Sequence, residues 1–241
     1  MKQAIYIALC VCGLSATAQR FADQVPQTKK YEEATALDSN GGIKMYNKLI
    51  TAIGGDSVRY NKSGYNLQGW QEDFYSSGKL LHKGFYVDGQ IKVFKNFYES
   101  GQVERSFVSS DPARSTVDIY YPTGGVRKQI MYFNGNAQNE YTYFTNGNPE
   151  SIIEKDKDVQ FVFKRKHYYE NGQTASVLEI IDKKNKKYSS KIYYENGKIK
   201  EEGTLTLSAE KKDLVKDGEW IYYDEKGQVV KKEKFTKGSS Q

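Results

Sequence analysis

The sequence predicts a mainly β protein, an elongated antiparallel sheet of tandem β-hairpin repeats of about 23 residues, with a short N-terminal helix before it. Three observations carry that prediction. A motif of two adjacent aromatics followed by a turn glycine occurs seven times. The glycines of successive copies lie 23, 23, 23, 25, 25 and 30 residues apart. Composition fits a thin sheet better than a thick core, with 20 Tyr against 11 Phe and a mean hydropathy of −0.75. A tyrosine covers a sheet with its ring while its hydroxyl stays wet. The aromatic content separates the chain from disordered sequences, and its polarity separates it from polytopic membrane proteins.

The copies begin with Phe74-Tyr75-Ser76-Ser77-Gly78 and Phe97-Tyr98-Glu99-Ser100-Gly101. Tyr120-Tyr121-Pro122-Thr123-Gly124 and Tyr143-Phe144-Thr145-Asn146-Gly147 follow. Next come Tyr168-Tyr169-Glu170-Asn171-Gly172 and Tyr193-Tyr194-Glu195-Asn196-Gly197. The seventh, Tyr222-Tyr223-Asp224-Glu225-Lys226-Gly227, reads as one residue longer. Half-way signals, Phe85-Tyr86-Val87-Asp88-Gly89 and Tyr132-Phe133-Asn134-Gly135, imply two strands and two turns per unit. Gly78, Gly101, Gly124, Gly147, Gly172, Gly197 and Gly227 are expected to hold the positive-φ position of their hairpin loops.

Adjacent residues of a strand face opposite ways, so each unit adds one ring to each face and the units build two aromatic columns. After each glycine a strand alternates apolar residues with Lys and Glu, as in Lys198-Ile199-Lys200. Lysine stems cover rings there while the ammonium groups stay in water. About fourteen strands at roughly 4.8 Å spacing extend on the order of 65 Å. Pro149 lacks an N–H for a ladder and predicts a bent or edge strand.

The ends differ from the array. Met1-Lys2-Gln3 is a basic start, an apolar run follows from Ala4 to Leu14, and Ala16-Thr17-Ala18 is a small-x-small site before Gln19. Residues 1–18 are therefore read as a cleaved signal peptide, placing the mature chain in the periplasm or at the outer membrane. Both cysteines, Cys10 and Cys12, lie inside that segment, and neither follows the small residue that a lipoprotein cysteine requires. The mature chain then has no disulfide and no thiolate site. Residues 19–65 read as a lead-in and a capping helix from about Ile43 to Ile53, with Ile43, Tyr46, Leu49, Ile50 and Ile53 on one face. Residues 66–238 form the repeat array, and residues 239–241 a disordered tail. Ser208 to Asp217 is a charged insertion that widens the last interval.

Charge is uneven. Of the formal +6, the last stretch from Lys183 holds 15 basic and 10 acidic residues, with its densest run at Lys183-Lys184-Asn185-Lys186-Lys187. Such a run attracts polyanions, anionic lipid or an acidic protein, or simply protects a sheet edge.

The segment Asp217-Gly218-Glu219-Trp220-Ile221-Tyr222-Tyr223, with Gly227-Gln228-Val229 behind it, resembles the MORN-repeat variant, as does Gly69-Trp70 with Phe74-Tyr75 and Gly78-Lys79-Leu80. The resemblance covers about residues 66–238. Proteins with these repeats are often labelled YwqK-family antitoxins. It implies a β-hairpin array that serves as a binding or scaffolding surface without catalysis. A rival resemblance is the choline- or glucan-binding wall repeat, whose aromatic cages need several Trp in register. Here only Trp70 and Trp220 occur.

Catalytic motifs do not emerge. His82 and His167 lack a metal-ligand spacing, and no P-loop, G-x-S-x-G or H-E-x-x-H is present. Glu72-Asp73 and Glu201-Glu202 are strand neighbours that face apart, so neither forms a glycosidase dyad. Asp156-Lys157-Asp158 lacks the glycine and glutamate of a calcium loop. The reading is a non-enzyme without cofactor or metal, an exported binding or scaffold protein of a bacterial envelope. Trp70, Tyr98, Tyr121, Tyr169, Tyr194 and Trp220 are its candidate binding residues. A protein partner is expected. The alternatives are an antitoxin- or immunity-like inhibitor of a toxin, and a module for wall glycan or anionic lipid. Nucleic acid is not expected.

Overall fold

The computed structural model describes residues 30–156, 158, 161–208 and 210–240. The signal segment 1–18 and both cysteines lie outside the described residues. Among the described residues one sheet holds every strand, paired in strict chain order. It opens with β1 (Lys30–Tyr31), β2 (Gly69–Tyr75), β3 (Leu80–Val87), β4 (Gln90–Phe97), β5 (Val103–Ser109) and β6 (Arg114–Tyr120). The middle is β7 (Val126–Phe133), β8 (Asn136–Tyr143), β9 (Pro149–Lys155), β10 (Val162–Tyr168) and β11 (Thr174–Asp182). It closes with β12 (Lys187–Tyr193), β13 (Ile199–Ser208), β14 (Asp213–Tyr223), β15 (Val229–Thr236) and β16 (Ser239–Ser240). Every pair from β2 onward is antiparallel, while β1 joins β2 in parallel. The strands β2 to β15 are the hairpin array predicted from the sequence.

Two kinds of turn alternate along the two margins of the sheet. All seven predicted glycines have φ between 80° and 95°. In the first six of these glycine turns the second aromatic accepts the glycine N–H and donates its own N–H across the loop, as at Tyr98 with Gln102 and Gly101, and in the seventh Asp224 does so. The ladder then slips at the first aromatic, and one residue of the following strand is left without a partner. Those residues are Leu81, Glu104, Arg127, Glu150, Ala175, Lys200 and Val230. A slip of this kind re-aims side chains. On the other margin, Asp88-Gly89, Asn134-Gly135 and Lys237-Gly238 have two successive positive φ angles, the conformation of a type I′ hairpin.

A second layer exists over only part of the sheet. The segment before β2 folds against one face of the first strands, where Ile43, Tyr46, Leu49 and Ile50 join Tyr75, Leu81, Tyr86, Phe94, Phe107 and Val117 in a buried cluster. The cap is not the single helix expected over 43–53. It consists of two 3₁₀ turns, Asn47–Leu49 and Thr51–Ile53, divided by an extended Ile50. A continuous helix would satisfy the same apolar spacing, but here Gly55 and Ser57 donate back to Ile50 and Lys48 and fold the segment on itself. A four-residue helix, α1 (Glu33–Ala36), precedes it.

One further expectation is narrowed and two are corrected. Of the two alternatives for Pro149 the edge is excluded: its strand is central, and Pro149 occupies the first position, where the ladder slips and no N–H is needed. The seventh turn has the same length as the others: Asp224 holds the place of the second aromatic, and the Tyr pair sits one residue early. The tail expected to be disordered is paired at Ser239 and Ser240, because the Lys237-Gly238 turn returns the backbone onto Thr236 and Phe235.

Candidate functional site

Directly opposed residues share a face, so the register traces one row across the sheet. It runs Phe94, Phe107, Val117, Ile130, Glu140, Ile153, Arg165, Leu178, Ser190 and Gly203. The first three lie beneath the cap. The cap's last turn reaches β6 and β7, and beyond it no element among the described residues covers the row. Its chemistry changes at that border. Glu140 pairs with Lys128 at 2.6 Å, and Lys155 approaches the same carboxylate at 4.0 Å. Beyond them stand Ile153, Arg165 and Leu205, half-buried, with Leu178 and Tyr188 buried among their neighbours.

Of the candidate residues, four fall in one column. The Tyr98 hydroxyl donates to the Tyr120 carbonyl, Tyr121 to Tyr143, Tyr169 to Tyr193 and Tyr194 to Tyr223. Tyr75, absent from the candidates, begins the series by donating to Phe97. The second aromatic of these units therefore bonds the carbonyl of the first aromatic in the next unit, or of Tyr223, which stands in that place in the seventh. Phe144 interrupts the ladder because it has no hydroxyl. There Asn146 and Asn148 reach across and both donate to the Glu170 carbonyl. These tyrosines form a spine along the glycine-turn margin, with their hydroxyls engaged.

The two tryptophans lie apart from that spine. Trp70 is 61% exposed, edge-on to Phe85, with the Lys83 ammonium 5.8 Å from its ring. Trp220 is 2% exposed. Its indole lies flat on Gly203, where a Cβ would come within 2.5 Å of the ring, and Nε1 donates to the Thr204 carbonyl. Lys216 projects over it, with Nζ at 3.9 Å from the Trp220 ring, 4.9 Å from Tyr222 and 5.6 Å from Phe235. Glu201 accepts from the same ammonium at 3.0 Å. This is the aromatic seat that cation-binding proteins present to a ligand, here filled by the chain's own lysine.

A buried polar cluster locks the cap to the sheet, and the sequence reading did not anticipate it. Arg59 grips Asp73 with two bonds of 2.6 and 2.8 Å, and the Tyr46 hydroxyl donates to the same carboxylate. Arg59 also donates to the Tyr86 hydroxyl at 3.0 Å, which donates in turn to His82 Nε2. His82 Nδ1 donates to Asn96 Oδ1, and Asn96 Nδ2 donates to the Ile43 carbonyl of the cap. Tyr46 stacks on the imidazole at 3.8 Å. Burial pushes His82 down to about 4 and holds it neutral, although Asn96 opposes the shift. Burial also raises the Glu104 carboxyl, against the pull of Arg105. The slip at Phe97 explains why Glu104 and Arg105, consecutive in β5, are both buried.

Beside this cluster a groove of about 560 Å³ is lined by Tyr31, Met45, Tyr46, Leu49, Arg59 and Tyr60. Its one guanidinium, Arg59, is spent on Asp73 and Tyr86. Among the described residues, no group of three or more His, Cys, Asp or Glu is placed to hold a metal ion. Glu72 and Asp73 do face apart, Glu72 toward Lys83 and Asp73 toward the cap.

The family model described as the MORN repeat variant matches residues 189–205 and 216–237. These segments cover β12–β13 and β14–β15, the hairpins that carry the Lys216 seat. No curated protein matches the chain. Among solved structures, one described as the crystal structure of TarM shares 8% identity over 39% of this chain and 19% of its own, at a TM-score of 0.28. An S. aureus TarM mutant in complex with Fondaparinux, alpha-GlcNAc-glycerol and UDP shares 10% over 52% of this chain and 19% of its own, at 0.27. The chain spans about a fifth of the length of either, and likeness at this level carries no argument.

Proposed function

For a chain that carries MORN-variant hairpins, we propose a non-catalytic binding scaffold, exported to the bacterial envelope, that engages a protein partner through the uncapped face of β8 to β15. Repeats of this family are in general binding and scaffolding units without catalysis. One observation carries the choice of face: the row buried under the cap at Phe94, Phe107 and Val117 runs on through half-buried Ile153 and Arg165 to Leu178, with no second layer over it among the described residues. An uncovered continuation of a core-facing row is the place where a partner completes the second layer. Export rests on the basic start, apolar run and small-x-small site of residues 1–18.

Two neighbouring residues make the test. Ile152 and Ile153 lie on the same strand and face opposite ways, Ile153 toward Arg165 and Ile152 toward Lys166. The mature chain from Gln19 is used for capture from solubilised envelope, with sacculi and anionic vesicles assayed in parallel. Ile153→Asp is expected to abolish capture of the protein partner, and Ile152→Asp to leave it. The reverse would move the site to the other face. Retention on sacculi or vesicles with no protein captured would favour the glycan or lipid module. Identification of the captured protein as a toxin would favour the immunity-like inhibitor.

A further inference from the structure

The fold gathers lysines that the sequence keeps apart. Three turns on the margin opposite the glycine turns are neighbours: 183–186 between β11 and β12, 210–212 before β14, and 237–238 after β15. The Leu207 N–H donates to the Lys186 carbonyl, which ties the first turn to the end of β13. Lys211 Nζ lies 3.3 Å from where a Gly238 Cβ would stand, which ties the second turn to the third. Lys183, Lys184, Lys186, Lys211, Lys212 and Lys237 are all exposed on this rim. The ion pairs nearby use other lysines: Lys164 with Glu179, Lys187 with Asp217 and Lys216 with Glu201. From β11 to β15 the rim spans about 19 Å at ordinary strand spacing.

Exposed apolar groups stand among these charges. Phe163, Ile181 and Leu207 are 42%, 60% and 42% exposed, each one residue from a strand end at this same margin. Lys183 Nζ lies 5.2 Å from the Phe163 ring. The glycine-turn margin of the same strands mixes the two signs, with Glu170, Glu195 and Glu225 exposed at its turns beside Lys198, Lys200 and Lys226. A uniform anionic surface would also meet the carboxylates Asp182, Glu210 and Asp213 set between the lysines. A segment with discrete, spaced carboxylates avoids them.

We infer that this rim is a docking site for an acidic protein segment that carries apolar side chains among its carboxylates. It rests on the binding role proposed above but uses a different surface from the uncapped face. The lysines steer and register the segment, and Phe163, Ile181 and Leu207 take its apolar side chains.

The test uses the mature chain and a fluorescein-labelled, glutamate-rich peptide with interspersed leucines, read by fluorescence anisotropy. Binding is expected to weaken with added salt, and about tenfold in the pair Lys183→Glu with Lys184→Glu. Lys200→Glu with Lys226→Glu makes the same change in net charge on the glycine-turn margin and is expected to leave affinity within about twofold. Phe163→Asn is expected to weaken binding of this peptide but not of an all-glutamate peptide. Equal loss in both lysine pairs, no binding by the wild-type chain, or binding to anionic vesicles without peptide binding would each overturn the inference. Ile153→Asp reads the two surfaces separately. It is expected to leave peptide affinity unchanged, so failure of the rim and failure of the uncapped face give different results.

Discussion

A single oxygen atom decides the continuity of the tyrosine spine. Tyr121 and Tyr169 bond the next unit's carbonyl at 2.7 Å, while Phe144 between them cannot. Its turn is otherwise the same, with the Phe144 N–H donating to Asn148 and the Gly147 N–H donating back. Phe144→Tyr is therefore expected to complete the ladder at the Tyr168 carbonyl and stabilise the protein by about 1 kcal/mol. Tyr121→Phe should cost a similar amount. Thermal melts of the two variants check both signs, and a loss on Phe144→Tyr would sink the idea that the hydroxyls bind the units together.

His82 belongs to the same scale. Its imidazole is held neutral with a pKa of about 4, against an ordinary value of 6.5 in the unfolded chain. The unfolded state thus takes up a proton that the folded state refuses. His82 leaves stability untouched above pH 6.5 and lowers it progressively as pH falls from about 6.5 to about 4, by about 3 kcal/mol in all. Glu104 works in the opposite direction, because its raised carboxyl binds a proton first in the folded state. Denaturant titrations between pH 7 and 5 should show the loss, and His82→Gln should flatten it. An unchanged slope in that variant would assign the pH dependence elsewhere.

At the scale of the element, the hairpin is set by two kinds of turn that the sequence spells out differently. Asp88-Gly89 and Asn134-Gly135 are short type I′ signals. The longer glycine turns need one positive φ and slip the ladder as they close. Gly101 has φ 91° and open space where its Cβ would be. Gly101→Val therefore meets no neighbour and measures backbone strain alone. It is expected to lower stability by about 1–3 kcal/mol. A melting curve identical to wild type would contradict the hairpin register. The slip also carries function-level consequences. It turns Leu81 and Glu104 into the cap interface and brings Lys200 to 5.6 Å from the Tyr194 ring. Strict alternation along a strand does not foresee this, which is why Glu104 and Arg105 were not read from the sequence as buried neighbours.

Across the whole molecule, a two-layered head passes into a single-layered sheet. The head has a cluster of fully buried aromatic and aliphatic side chains, and the strands beyond β7 are mostly half-buried on both faces. Each hairpin there touches only its neighbours, so openings propagate from the uncovered end. Native-state hydrogen exchange should show the amides of β11 to β15 exchanging through openings of lower free energy than those of β3 to β5. One uniform opening free energy for both regions would show that the sheet unfolds as a single cooperative unit.

Much of this molecule was legible along the chain because its structure is local. The glycine period, the positive-φ turns, the count of strands and their consecutive pairing all follow from residues within one unit, and each hairpin repeats the same short-range chemistry. Tertiary structure alone decided three things. It broke the expected helix over 43–53 into two 3₁₀ turns, because contacts with the sheet outweighed helical periodicity. It assembled Arg59, Asp73, His82, Asn96, Tyr46 and the Ile43 carbonyl into one clamp, with Asn96 bonding Ile43 across 53 residues of chain. It also separated the candidate residues, placing Tyr98, Tyr121, Tyr169 and Tyr194 in a spine, Trp70 in the open and Trp220 beneath its own lysine. The physical reason is common to all three: periodicity specifies which way a side chain points within its strand, whereas what it meets there depends on residues that only the folded sheet brings alongside.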